Sequence, residues 1–180
     1  RYLHLGTGNY NDETARLYTD MGILTSDPGL GEDGGQFFNL VTGYGETLPM
    51  QALTHAPSML RRELLRLIRR EEGHARRGVP ARIDAKMNSL VDPAMIQALY
   101  AASRAGAVID LTVRGACCLR PGIPGVSQGI TVRSLVGRFL EHARVFAFEN
   151  AGEREVYLSS ADWMPRNLDR RVELLFPVEQ

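Results

Sequence analysis

The sequence predicts an α/β fold, a mixed sheet flanked by helices, and three observations predict it. Residues 81–115 read strand, helix, strand, so their strands are expected to be parallel neighbours joined by a right-handed crossover. Residues 57–77 form an amphipathic helix with Leu60, Leu64, Leu67 and Ile68 on one face. Three late runs, 145–148, 155–159 and 172–176, read as strands separated by short turns. A chain of 180 residues is long enough for one ordinary domain or two small ones. At 44% hydrophobic and 23% charged it is neither a disordered tail nor a fibrous repeat.

Taken in order, residues 3–9 are a strand end running into a glycine turn. A chain that opens inside an element is expected to be a piece of something longer. Residues 15–24 carry the β-friendly Tyr18, Thr19 and Ile23 and are expected to cross a sheet. Residues 31–42 place Phe37, Phe38 and Val41 at helical spacing, with Gly43 as C-cap. Residues 43–49 hold two glycines, a proline and no periodic apolar face, so a domain boundary is expected there, dividing 1–50 from 51–180. In the 57–77 helix, Arg61, Arg62, Arg69 and Arg70 read most simply as a solvated face, with phosphate binding as the alternative. Glu72 and Arg76, four apart, suit a helix ion pair. Residues 81–87 alternate as a strand. Asp92 is an N-cap before Pro93, and the helix runs through Ile96 and Leu99 to Gly106. Residues 108–115 form the next strand, ending in Arg114 and Gly115. Pro121, Gly122, Pro124 and Gly125 make 119–128 a loop; 130–135 is a short strand and 138–142 a turn of helix.

Twenty-one basic side chains balance twenty-one acidic ones, so no basic excess favours nucleic acid, though a local basic pocket remains open. No run of 18 apolar residues predicts a membrane span, and residues 1–4 lack a signal-peptide layout. Cys117 and Cys118, the only cysteines, are adjacent in sequence and so poorly placed to bridge. They are read as reduced, buried filler in a cytoplasmic protein. Lys86 is the only lysine among the basic residues. Arginine suits bidentate phosphate binding, but codon bias is the plainer explanation.

Two short patterns carry chemistry. Gly6-Thr7-Gly8-Asn9 is a glycine turn whose backbone N–H groups can approach an anion, with Thr7 and Asn9 adding hydrogen bonds. Alone it reads more readily as an ordinary turn. His142 is followed two residues on by Arg144, five further on by Glu149, and then by Ser159-Ser160-Ala161-Asp162. A histidine titrates near neutrality and can attack or protonate a phosphoryl group, and a cation two residues away can neutralise phosphate oxygens. A lone His142 would read as structural; its flanking pattern favours chemistry. That pattern resembles the phospholipase-D-type signature, with Arg144 for the lysine, Glu149 for the first acid and Asp162 for the final asparagine. Gly6 to Asn9 resembles the end of a second copy, and in that superfamily two copies share one phosphoryl site. The resemblance implies a phospholipase-D-like sheet at 51–180 preceded by the tail of a similar domain.

The longer context resembles the polyphosphate kinase family. The matching runs are His4 to Asn11, Thr14 to Asp20, Lys86 to Asp92, Val113-Arg114-Gly115, Gly137 to His142 and Ser159 to Arg171, and they span nearly the whole chain. The resemblance implies transfer of the terminal phosphate of ATP to polyphosphate through a phosphohistidine. It implies that Tyr18 contacts the nucleotide, that Arg114 binds ATP phosphates and that His142 lies at the ATP site. Arg114, at a strand end before glycine, also stands where open α/β sheets place ligand groups. Tyr18 by itself could equally be core. Thr7, Asn9, Arg144, Ser160 and Asp162 are expected to line the phosphate path. The family's phosphorylated histidine stands in a His-x-Lys pattern ahead of the glycine turn, and residues 1–180 hold no such pattern. His4 belongs to a later run and is not that nucleophile. The resemblance places the family's magnesium-associated arginines upstream too, and implies a homo-oligomer, with association at the membrane periphery allowed. No metal site is expected within this chain; His55 and His74 are read as surface.

Three functions are therefore weighed: part of a polyphosphate kinase acting on ATP/ADP and polyphosphate; a phospholipase-D- or nuclease-type phosphodiesterase; and, for these 180 residues alone, a non-catalytic nucleotide- or polyphosphate-binding module. Asp110, Glu149, Asp162 and Asp169 are expected to pair with arginines, either in the site or as ordinary ion pairs.

Overall fold

The computed structural model describes residues 1–44 and 49–178. It opens with strand β1 (Leu3–Gly6), a short 3-10 turn at Thr14–Arg16, and strands β2 (Tyr18–Thr19) and β3 (Gly22–Thr25). Helix α1 (Pro28–Thr42), β4 (Thr54–Ala56), α2 (Leu60–Arg76), β5 (Arg82–Met87), α3 (Pro93–Ala105) and β6 (Val108–Val113) follow. The chain continues through β7 (Ile130–Arg133), β8 (Leu140–Glu141), β9 (Arg144–Phe148), β10 (Glu155–Ser159), α4 (Pro165–Asp169) and β11 (Glu173–Pro177). A seven-stranded mixed sheet runs β4-β11-β10-β9-β5-β6-β7. The β5-α3-β6 unit gives parallel neighbours, as the pattern predicts, and β9, β10, β11 and β4 are antiparallel additions.

Helix ends follow their local chemistry. Asp27 and Asp92 accept the N–H groups of Leu30 and Met95 at 2.7 and 3.1 Å, each just before a proline. Gly43 (φ 69°) and Gly106 (φ 106°) close α1 and α3 in the left-handed region that glycine enters without strain. α2 and α3 cover one sheet face. Leu60, Leu64, Leu67 and Ile68 are fully buried there against Ile83, Leu111, Phe146 and Trp163. Each such side chain contributes about 1.5–3 kcal/mol by leaving water. On the opposite face β10 and β11 present Leu158 and Phe176 to Leu5, Leu30 and Leu53, which packs residues 1–44 onto the sheet. Buried Asp33 of α1 accepts the backbone N–H groups of Gln51, Ala52 and Leu53 at 2.6–3.0 Å and so fastens the segment entering β4.

Several expectations are corrected. The strand expected across 15–24 is broken in two: β2 pairs with β8, while β3 pairs with β1. The turn of helix expected at 138–142 is instead β8. Its residues reach across the chain, Leu140 N–H to Leu17 O (2.8 Å) and His142 N–H to Thr19 O (3.1 Å), and long-range pairing overrides local preference. Cys117 and Cys118 are exposed, because Leu90 and Leu119 fill the core beside them. His55 and His74 are half-buried. Arg61 and Arg70 on α2 are half-buried too: Arg61 pairs with Asp92 and Asp169, and Arg70 with Glu155. Glu72 and Arg76 do form their ion pair, at 2.6 Å. Residues 45–48, within the expected linker, lie outside the described residues.

Candidate functional site

The site starts from a strand register. β2 and β8 run parallel with Thr19 opposite Glu141, so the next residues, Asp20 and His142, emerge side by side. His142 Nδ1 lies 2.9 and 3.0 Å from the two Asp20 carboxylate oxygens. A carboxylate only accepts, so a hydrogen on Nδ1 faces Asp20 and the neutral ring keeps its lone pair on Nε2; the Arg144 guanidinium, 3.3 Å from the same Nδ1, disfavours a second proton on the ring. The Tyr18 ring lies 4.7 Å from the imidazole, centroid to centroid. Thr7 Oγ1 donates to Asp20 Oδ1 at 2.7 Å and accepts from Met21 N–H at 3.1 Å. Gly8 is required at this approach: a Cβ there would stand 2.3 Å from an Asp20 carboxylate oxygen.

Arg144 begins β9. Its guanidinium reaches Asp162 by two hydrogen bonds, 3.1 and 3.3 Å, and the Thr7 carbonyl at 3.0 Å. Arg144 and Asp162 are both 7% exposed, so this is a buried ion pair. Asp162 also accepts from the Asn88 and Ser89 backbone N–H groups. Burial, and then the positive charge of Arg144, hold the His142 pKa below its ordinary value; the opposing pull of Asp20 is smaller. Burial and Arg144 both favour the neutral imidazole over the imidazolium.

Arg114 stands one residue past β6. Its Nε donates to Asn88 Oδ1 at 3.0 Å, and Asn88 Nδ2 donates to the His142 carbonyl at 3.3 Å. Two hollows flank the β2–β8 pair. One, of about 350 Å³, is lined by Asn9, Tyr18, Asp20, His4, Tyr10 and Thr14 among others. The other, of about 370 Å³, is lined by Arg114 and residues 135–141.

Compared with known families, residues 53–180 match "Polyphosphate kinase C-terminal domain 2" and residues 1–47 match "Polyphosphate kinase C-terminal domain 1". The chain belongs to the polyphosphate kinase family. It is 61% identical over 179 residues to a polyphosphate kinase of Pseudomonas putida, covering 99% of this chain and 25% of that protein. It is 56% identical over 180 residues to one from Synechocystis sp., covering 100% of this chain and 25% of that protein. The chain thus spans about a quarter of the length of these curated relatives. The crystal structure of a polyphosphate kinase from Porphyromonas gingivalis superposes with a TM-score of 0.95 at 41% identity, over 99% of this chain and 28% of that one. Nuc, a phospholipase D family member from Salmonella typhimurium, superposes with a TM-score of 0.50 at 17% identity, over 68% of this chain and 78% of that one. The fold is phospholipase-D-like.

Within this polyphosphate kinase family fold, the residues expected at the site are placed as follows. Tyr18 and His142 touch, and Arg114 joins them through Asn88. Thr7, Arg144 and Asp162 lie behind the histidine, hydrogen-bonded to one another or to its carboxylate partner. Asn9 is exposed on the Tyr18 hollow. Ser160 turns away from Asp162: its hydroxyl donates to Glu173 and accepts from Leu174 N–H. Asp20 and Asn88 were not singled out by sequence reasoning, although both stand inside the matching runs. Asp20 becomes legible only when 140–141 is known to be a strand, and Asn88 only when Arg114 and His142 are known to flank it. Among the described residues, no group of three or more His, Cys, Asp or Glu side chains could hold a metal ion. Among those residues, too, no helix is long and apolar enough to cross a membrane.

Proposed function

We propose that this chain is the C-terminal part of an enzyme that reversibly transfers the terminal phosphate of ATP to polyphosphate. In this reading the nucleophile is a histidine outside these 180 residues. Its ring nitrogen attacks the γ-phosphorus, the bond to the β-phosphate oxygen breaks, and ADP leaves. A terminal polyphosphate oxygen then attacks the same phosphorus and the P–N bond breaks. Positioning and charge neutralisation dominate such transfers. Tyr18 contacts the nucleotide, and Arg114 holds phosphate oxygens. His142 faces the phosphoryl group through Nε2, where it either binds a phosphate oxygen or, as acid/base opposite that nucleophile, takes a proton from a protonated phosphate oxygen and gives it back to one. Asp20 fixes its tautomer and stabilises the imidazolium, and Asn9 lines the nucleotide approach.

The observation that carries this reading is the Asp20-held imidazole of His142 beside Tyr18, with Asn88 linking the Arg114 guanidinium to the His142 backbone carbonyl. Among the described residues no group of three or more His, Cys, Asp or Glu side chains gathers to hold the family's magnesium, whose associated arginines the resemblance places upstream of this chain. The division at 1–50 and 51–180 is proposed as the tail of one phospholipase-D-like domain followed by a second, supported by family matches that fall either side of it. Free, exposed Cys117 and Cys118 support a reducing, cytoplasmic setting.

The phosphodiesterase reading is supported by the likeness to Nuc, which shows the fold alone. Against it, Arg144, where that signature has lysine, is committed to Asp162 and the Thr7 carbonyl. The test is polyphosphate synthesis by the whole enzyme carrying Arg114→Ala or His142→Ala. Collapse with the fold intact supports the kinase reading; near-wild-type turnover removes that residue from the site. Cleavage of phosphodiesters with no nucleotide requirement would favour the alternative. Labelled ATP should leave no phosphohistidine on the isolated 180 residues, which then act as a binding module.

A further inference from the structure

We propose that Asn88 is a positioning residue that sets the phosphate-binding arginine against the site histidine. The inference rests on the kinase reading above and adds a residue to it. Asn88 follows β5 and is 6% exposed. Its Oδ1 accepts from Arg114 Nε at 3.0 Å, while Nδ2 donates to Asp162 Oδ1 at 3.1 Å and to the His142 carbonyl at 3.3 Å. The amide orientation follows from chemistry: arginine only donates, and a carboxylate or carbonyl only accepts. A carboxamide alone, among side chains of this size, presents an acceptor at one end and two donors at the other.

The backbone enforces the same placement. The Asn88 N–H donates to Asp162 at 2.7 Å, and the Asn88 carbonyl accepts from Gly115 N–H at 2.7 Å. A Cβ on Gly115 would come within 2.9 Å of that carbonyl oxygen, so glycine permits the approach that brings Arg114 alongside. With Nε engaged, Arg114 has no other side-chain hydrogen bond among the described residues. Both terminal NH₂ groups are left to grip phosphate oxygens. Holding the guanidinium beforehand removes the entropy of ordering a long, flexible side chain when ligand arrives.

The test is a double-mutant cycle in the whole enzyme, read as Kd for a nonhydrolysable ATP analogue, with KM for ATP and kcat also measured separately for the Asn88 variants. Asn88→Ala should raise that Kd and KM for ATP about tenfold, with a smaller change in kcat. In an Arg114→Ala background, Asn88→Ala should raise Kd by less than about twofold, because the group it positions is gone. Asn88→Ser, which keeps a hydroxyl at this place, serves if the alanine variant fails to fold. An Asn88 variant that folds and binds ATP normally overturns the proposal, and so do fully additive effects of the two substitutions. If Arg114→Ala itself leaves binding of the ATP analogue unchanged, the kinase reading of the site fails, and this inference with it.

Discussion

His142 Nδ1 lies 2.9 Å from Asp20, a residue 122 positions earlier in the chain. The pair fixes which ring nitrogen is free, since Nδ1–H points at the carboxylate and Nε2 points away. Asp20→Asn should therefore lower turnover about 10²–10⁴-fold, within the range of a general acid–base contribution, while leaving KM for ATP nearly unchanged. Steady-state kinetics of the whole enzyme check this. A raised KM with kcat unchanged would make Asp20 a binding group instead.

The depressed pKa of His142 makes a signed prediction about stability. Burial and Arg144 favour the neutral imidazole in the folded state. Above about pH 6.5, the ordinary histidine value, folded and unfolded states are both neutral there and the contribution is fully present. As pH falls through the lower folded-state pKa, the unfolded chain takes up the proton first and stability is lost. The urea midpoint of the wild type should fall between about pH 7 and 5 more steeply than that of His142→Gln. Parallel curves would mean that His142 is not held neutral.

Arg144 and Asp162 form a buried pair, so removing one partner strands a charge. Arg144→Met should destabilise the chain by about 3–5 kcal/mol, and Arg144→Met with Asp162→Leu by markedly less. Chemical denaturation of the three proteins measures this. A double variant no more stable than the single would show that the pair's other hydrogen bonds dominate.

Asp33 gathers three backbone N–H groups with one buried carboxylate. Asp33→Ala should cost about 1.5–3 kcal/mol for each charged hydrogen bond in the limit, and less in sum because water enters. It should also raise amide exchange at residues 51–53 selectively. Uniform exchange across the chain would contradict the fastening role.

Much of the fold was legible from residues 60–115, where the leucine spacing of α2, the Asp92-Pro93 cap and the alternation of β5 and β6 each follow from local chemistry. Residues 138–142 were not legible as a strand, because their pairing partner lies more than a hundred positions away and nothing local encodes it. The same gap hid Asp20. Arg114, Tyr18 and His142 were reached through family likeness, whereas Asn88 needed coordinates. Its significance lies in the two residues it separates, not in its own neighbours in sequence.

The most direct measurement is a structure of the whole enzyme with a nonhydrolysable ATP analogue. The account predicts terminal phosphates within hydrogen-bond reach of both the Arg114 guanidinium and His142 Nε2, with the nucleoside against Tyr18. An analogue bound elsewhere, with Arg114 and His142 contacting no phosphate, would contradict it.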